Sequence, residues 1–147
     1  MKTVIQRVKK GVLYVENEKR GEIDTGLVVL VAVEQDDTEK DCEYLVGKIL
    51  SMRIFENLHG KMDNSVSDIN GALMIISQFT LCGNCKRGNR PDFTEAAPPN
   101  KALLLYNNFL EMLNLSGLKV VSGEFGKYML VEIHNDGPVT ILLNSKK

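Results

Sequence analysis

The sequence predicts an α+β fold: a single domain over residues 1–147, built as a curved, barrel-like mixed β-sheet with two main flanking helices. Three observations predict it. Strand-like segments crowd both ends of the chain, and two segments carry apolar residues at helical spacing. The order strands, helix, strand, helix, strands also lacks the regular alternation of a doubly wound sheet.

Val4-Ile5-Gln6-Arg7-Val8 and Val12-Leu13-Tyr14-Val15-Glu16 read as two short strands joined by Lys9-Lys10-Gly11. Leu27 to Val33, an unbroken apolar run, reads as a strand buried on both faces. Asp36 and Asp37 offer an N-cap. Cys42, Leu45, Val46, Ile49 and Leu50 then recur at i, i+3, i+4, i+7 and i+8, which predicts a helix from about Thr38 to Met52. Its apolar stripe requires a sheet to cover it. Glu56 to Gly71, rich in Asn, Asp, Ser and Gly, reads as loop, whereas Ala72-Leu73-Met74-Ile75-Ile76 reads as a central strand. A second polar loop, Cys82 to Asn100, carries Lys86, Arg87 and Arg90 and three of the four prolines. Ala102, Leu103, Tyr106, Phe109, Leu110 and Leu113 form the second helical stripe, with Pro98 and Pro99 ahead of it, where proline is tolerated. Leu118 to Ser122, Tyr128 to His134 and Val139 to Leu143 close the chain as strands.

The chain has 147 residues, 18 Lys+Arg against 19 Asp+Glu, and 44% hydrophobic residues. A chain of this length buries roughly two-thirds of its unfolded surface, so a core is available without disulfide or metal staples. The net charge of −1 supplies no global field toward a polyanion, so a nucleic acid would have to be met locally. No apolar run approaches the roughly 18 residues of a membrane span, and Met1 to Arg7 enters strand-like sequence without a signal-peptide block. Three cysteines, an odd count, predict reduced thiols and a cytoplasmic protein.

The generic catalytic signatures are weak. Cys82-Gly83-Asn84-Cys85 is a C-x-x-C, but a zinc site needs four ligands, and Cys42, His59 and His134 are not at ligand spacing. The residues that follow, Lys86-Arg87-Gly88-Asn89-Arg90-Pro91, form a poor helix, which speaks against a thioredoxin-like site. No histidine has a nucleophile at hand, and no G-x-S-x-G, H-E-x-x-H, Walker or G-x-G-x-x-G pattern is present. No metal and no cofactor is therefore expected. The three cations of Lys86-Arg87-Gly88-Asn89-Arg90 are equally compatible with a solvated loop and with a phosphate contact.

Two places break local expectation. Ser77-Gln78-Phe79-Thr80-Leu81 puts three hydrogen-bonding side chains at the end of a central buried strand, where an unpaired polar group costs about 1–3 kcal/mol. Asn135-Asp136-Gly137-Pro138-Val139-Thr140 places a Gly-Pro bond between two predicted strands. Together these segments resemble the two signature motifs of the D-aminoacyl-tRNA deacylases. The resemblance extends to Val4-Ile5-Gln6-Arg7-Val8, Arg53-Ile54-Phe55, Gly60-Lys61-Met62 and Arg87-Gly88-Asn89-Arg90-Pro91-Asp92-Phe93, in order and over nearly the whole chain.

That resemblance implies a homodimeric cytoplasmic hydrolase with a cross-subunit active site, acting on the aminoacylated acceptor end of tRNA. It cleaves the ester between a D-amino acid and the terminal adenosine. It implies that Ser77, Gln78, Phe79 and Thr80 line the pocket around the scissile ester. Gly137 and Pro138 would form a cis peptide that reaches into the partner subunit's pocket and selects chirality. Arg7 would hold that segment, Phe125 and Met129 would lie near the terminal adenine, and Asn135 and Thr140 would fix the turn. Backbone carbonyls at Gly137 and Pro138 would reject any L side chain, tolerate many D side chains and leave glycyl-tRNA unexcluded. The Ser77-Gln78 start argues for the strictly D-specific group over a relative with an altered first motif and a trans Gly-Pro, and Cys82 and Cys85 fall where the family varies. Since an aminoacyl ester is already activated, orientation and hydrogen-bond donors suffice without a histidine, and Thr80 is expected to act as a pocket donor. The rival reading is a non-catalytic dimeric RNA-binding module of the same fold, which would have no use for the polar set at Ser77, Gln78 and Thr80.

Overall fold

The computed structural model describes residues 1–146. In chain order its elements are β1 (Lys2–Val15), β2 (Glu18–Ile23), β3 (Gly26–Ala32), α1 (Glu39–Ser51), β4 (Phe55–Glu56), β5 (Met62–Asn64), β6 (Ala72–Ser77), a 3-10 turn (Phe79–Cys82), α2 (Pro99–Asn114), β7 (Val120–Ser122) and β8 (Met129–Asn144). β8 pairs with one edge of β1, and β3, β6 and β7 follow in order from the other. β2 extends the β3 side along the far half of β1.

The two most apolar segments form the middle of the sheet because they can be buried on both faces. Leu27, Val29 and Val31 of β3 and Leu73 and Ile75 of β6 join Leu45, Ile49, Phe109 and Leu113 of the helices in one core. The alternate residues Val28, Met74 and Ile76 join Val8, Leu13 and Ile23 in a second core on the concave side. Period-two alternation with apolar residues at both parities is the pattern of a strand covered on both faces.

The outer strands differ from expectation. Lys9-Lys10-Gly11 is not a turn, and Gly137-Pro138 does not separate two strands. β1 and β8 each run unbroken, and their pairing absorbs both segments as bulges. Between the pairs Gln6–Thr140 and Val8–Asn135, the single residue Arg7 faces the segment Asp136–Val139. As a result Ile141 and Leu143 pack toward the helices, while Val131 and Ile133, of the same parity, pack in the second core. A register shift turns a strand over, and the added local twist curls the sheet toward a barrel.

Two smaller differences have local causes. Thr38 takes the cap position of α1, and the Asp41 carboxylate accepts its N–H at 2.8 Å. Asp37 is buried instead and accepts the Glu34 N–H. The predicted loop from Glu56 to Gly71 contains the second strand of a short hairpin, β4 paired with β5. Among the described residues no helix is long and apolar enough to cross a membrane.

Candidate active site

β3 and β6 run parallel with Val31 beside Ser77, so both strands end at the same edge. Adjacent parallel strands leave a crevice at their carboxyl ends, and a cleft of about 750 Å³ opens there. Leu30 and Ile76 form its floor, Ala97 and Tyr106 one wall, and Phe125 and Met129 another; Ser77, Gln78 and Phe79 form its polar lip.

The lip is shaped by the way β6 ends. The Gln78 N–H donates to the Val31 carbonyl at 2.7 Å, holding the strand to its last residue. The chain then tightens: the Leu81 N–H donates to the Gln78 carbonyl at 3.2 Å and the Gly83 N–H to the Thr80 carbonyl at 3.0 Å. The N–H groups of Phe79 and Thr80 have no hydrogen-bond partner among the described residues. Unpaired leading N–H groups are the normal consequence of starting a helical turn. Here they stand beside the cleft. The Gln78 side-chain amide donates to Thr80 Oγ1 at 2.5 Å. Thr80 itself is exposed at the rim and does not form part of the wall in a single copy of the chain.

Tyr106 belongs to the site although helical spacing marks it only as part of a buried stripe. Its hydroxyl donates to the Ile75 carbonyl at 3.0 Å, and the Gly123 N–H donates to the same oxygen at 2.9 Å. α2, β6 and the segment leading to Phe125 therefore meet on one carbonyl two residues before Ser77. Burial pushes the Tyr106 phenol well above its ordinary pKa. The signal available in the sequence was a tyrosine among Leu and Phe on a core face, whose buried hydroxyl needs a partner. A Cβ on Gly123 would press against the Met129 sulfur, so glycine permits that close approach.

The second motif lies elsewhere in the same chain. The Gly137–Pro138 bond is cis. Arg7 is 5% exposed; its Nη1 donates to the Ile54 carbonyl at 2.7 Å, and its Nε lies 3.1 Å from Asp136 Oδ2. That second contact is coulombic, since Nε makes no aligned hydrogen bond. Asn135 spans the bulge, donating to the carbonyls of Arg7 and Val139 at 3.0 Å each, while Thr140 Oγ1 donates to Asn135 Oδ1 at 3.2 Å. A depression of about 360 Å³ lined by Arg7, Lys9, Phe55, Glu56, Asp136 and Gly137 marks this place, and it shares no residue with the cleft. The row through Ser77 crosses Val31 and Thr3 to reach Leu143. That is three strand spacings, roughly 14 Å, and Arg7 lies four residues further along β1, roughly 13 Å. Within one chain, Ser77–Thr80 and Gly137–Pro138 are thus apart, while Phe125 and Met129 join the first group and Arg7, Asn135 and Thr140 the second.

The cysteines are also separated in environment. Cys82 is buried and Cys85 exposed, and burial raises the Cys82 pKa. A C-x-x-C with one thiol in the core is not laid out as a redox pair.

The curled mixed sheet thus carries an apolar cleft at a parallel strand end, with unpaired N–H groups at its lip. The chain belongs to the D-Tyr-tRNA(Tyr) deacylase family, whose sequence profile matches residues 4–144. It is 54% identical to the D-aminoacyl-tRNA deacylase of Thermotoga petrophila over 147 residues, 100% of this chain and 99% of that protein. It is 50% identical to the one from Thermosipho africanus with the same coverage. The solved structure of a c-Myc DNA unwinding element binding protein superposes with a TM-score of 0.94 at 42% identity, covering 100% of both chains. A probable eukaryotic D-amino acid tRNA deacylase shares the fold, with a TM-score of 0.86 at 19% identity and 97% coverage of each chain.

Proposed function

We propose that this protein is a cytoplasmic, homodimeric D-aminoacyl-tRNA deacylase that hydrolyses the ester joining a D-amino acid to the terminal adenosine of tRNA. The observation that carries this reading is the pair of unpaired N–H groups at Phe79 and Thr80 on the lip of an apolar cleft. A water oxygen attacks the ester carbonyl carbon, and the carbonyl electron pair moves onto oxygen, where the two N–H groups receive it. Collapse breaks the bond to the ribose oxygen, which takes up the proton that the attacking water gives up, and free tRNA and D-amino acid leave. Donors fixed where charge develops are worth about 3 kcal/mol each, and orientation of an already activated ester adds to that. The neighbouring ribose hydroxyl of the substrate assists the water. Ser77 and Gln78 orient the ester, and Phe125 and Met129 contact the adenine.

Thr80 serves as a donor and not as the nucleophile. Its oxygen accepts from an amide, Gln78, which cannot take up a proton at neutral pH, and a threonine hydroxyl without an adjacent base is a weak nucleophile.

Gly137 and Pro138 of a second copy complete the pocket. Their distance from Ser77–Thr80 within one chain supports this, as does their mounting on Arg7, Asp136 and Asn135 at a separate surface depression. Main-chain atoms placed against the α-carbon exclude an L side chain by occupying its space, leave a D side chain outside and admit glycine.

The test is deacylation of matched D-tyrosyl-, L-tyrosyl- and glycyl-tRNA by the purified protein. D-tyrosyl- and glycyl-tRNA are cleaved, and L-tyrosyl-tRNA is cleaved at least roughly a hundredfold more slowly, equivalent to about 3 kcal/mol. Similar rates for the two tyrosyl enantiomers, or no cleavage of any substrate, overturn the assignment; binding without cleavage restores the non-catalytic alternative.

A further inference from the structure

We infer that the Lys86–Arg90 loop seats the phosphates of the single-stranded 3′ end of the tRNA, immediately 5′ of the esterified adenosine; this rests on the deacylase reading above. Lys86, Arg87 and Arg90 are all exposed. None has a carboxylate within 4.0 Å among the described residues, whereas Lys127, in the cleft wall, is matched by Glu16 at 3.3 Å and Lys2 by Glu34 at 2.9 Å. The acidic residue at the loop's end, Asp92, is turned back on the Thr94 N–H at 2.9 Å and on its hydroxyl, so it neutralises none of the three cations. A chain of net charge −1 therefore keeps an uncompensated block of positive charge on this loop.

The loop is fixed to the reacting end. Asn84 and Asp92 exchange two backbone hydrogen bonds, at 2.8 and 2.9 Å, which close its base. Phe93, just past that base, packs edge-on against Phe79 with ring centroids 5.1 Å apart. Gly83 sits close against both: a Cβ would lie 3.0 Å from the Phe93 ring and from the Thr80 carbonyl, so either would have to give by a few tenths of an ångström. The cations thus begin two residues past a base that is bolted to the turn bearing the Phe79 and Thr80 N–H groups. At roughly 3.5 Å per residue this keeps them within about 10 Å of that base along the chain. Phe79, on the turn to which that base is held, also leaves 59% of its surface open. An exposed aromatic together with unpaired cations suits a single strand with accessible bases and a flexible backbone better than a duplex stem.

Three substrates separate the possibilities: D-tyrosyl-adenosine, which has no phosphate; a 5′-phosphorylated trinucleotide of the tRNA 3′ end carrying D-tyrosine; and full D-tyrosyl-tRNA. The variant is Lys86→Gln with Arg87→Gln and Arg90→Gln, none of whose side chains makes a hydrogen bond or ion pair among the described residues. Three single-strand phosphate contacts give a slope of log kcat/KM against log salt near −2, so the wild type loses roughly 20-fold between 50 and 200 mM salt on the trinucleotide and on tRNA. The variant is expected to flatten that slope on both, to lower kcat/KM at 50 mM salt by at least tenfold, and to match the wild type on D-tyrosyl-adenosine. An unchanged trinucleotide rate with a loss confined to full tRNA would place the loop on the duplex stem and overturn the inference. Unchanged rates on all three substrates would overturn it as well, with the deacylase assignment intact. Failure of the wild type on every substrate removes that assignment itself.

Discussion

The Tyr106 hydroxyl donates to the Ile75 carbonyl at 3.0 Å, tying the middle of α2 to the strand that delivers Ser77 and the free N–H groups of Phe79 and Thr80. Tyr106→Phe removes that donor but preserves the ring, and the Ile75 carbonyl keeps the Gly123 N–H. The expected cost is about 1 kcal/mol in urea unfolding. The sign with pH follows from the raised phenol pKa. Below the unfolded value of about 10 the phenol is protonated in both states, and as the pH rises past it only the unfolded state gains by ionising. Wild-type stability therefore falls more steeply above about pH 10 than that of Tyr106→Phe; equal slopes would show that the buried phenol does not contribute.

Arg7 makes a second junction, between the Ile54 carbonyl and Asp136. Arg7→Leu fits the burial but leaves the Ile54 carbonyl without its donor, while Asp136, partly exposed, keeps Lys9 at 3.6 Å, so the expected cost is about 2 kcal/mol. Asp136→Asn retains an acceptor and keeps some exposure, so its cost is expected to be about 1 kcal/mol. Because Asp136 adjoins Gly137, both variants are also expected to relax the discrimination between D- and L-tyrosyl-tRNA. A variant that loses stability and retains full discrimination would separate Arg7 from chiral selection.

Close backbone approach carries the contact between β3 and β6. Gly26 pairs with Ala72, and a Cβ there would fall on the Ala72 carbonyl itself. No rotamer relieves a clash with backbone, so Gly26→Ala is expected to cost more than about 3 kcal/mol and to leave little folded protein by circular dichroism. Gly47, with open space around it on α1, is the control: Gly47→Ala is expected to stabilise by about 0.5–1 kcal/mol.

Thiol accessibility divides the cysteines two against one. Cys42 lies in the core, where burial, with Asp41 and Asp37 nearby, pushes its thiol up to about 11; Cys82 is buried and pushed up by the same burial; Cys85 is exposed. Titration of the native protein with an aromatic disulfide reagent at pH 8 is expected to give one fast thiol, and Cys85→Ser to abolish it. Two fast thiols would reopen a joint role for Cys82 and Cys85.

The inner elements were legible in the residues because one physical demand dominates each. β3 and β6 are too apolar for anything but a two-sided interior, and the stripes of α1 and α2 repeat at helical spacing. The outer strands were harder to read because polar, turn-like residues can be held in a ladder by their partner. Lys9-Lys10-Gly11 and Asp136-Gly137-Pro138 look like ends of strands, but Asp136–Val139 bulges opposite Arg7, while Lys9 bulges next to it and Lys10 and Gly11 pair with His134 and Ile133, a property of the paired strands and not of either segment. At the site, Ser77–Thr80 stood out as polar residues at the end of an apolar strand. Tyr106 did not, since its spacing served the core, and the separation of the two motifs within one chain depends on strand order that no local pattern encodes.

Thr80→Val distinguishes donor from nucleophile. The valine keeps the shape of threonine and its unpaired backbone N–H, and it removes one hydroxyl whose present partner is the Gln78 amide. If the hydroxyl supplies a single neutral hydrogen bond of about 1 kcal/mol, kcat on D-tyrosyl-tRNA falls by roughly five- to tenfold while KM stays near the wild-type value. If Thr80 were the attacking group, its loss would remove the covalent route altogether, and kcat would fall by several orders of magnitude with substrate binding intact. Gln78→Glu sharpens the distinction. A carboxylate in place of the amide would act as a base toward the same oxygen, so a nucleophilic Thr80 gains rate as pH rises through the carboxylate range. A Thr80 that only donates gains nothing there and loses part of its positioning.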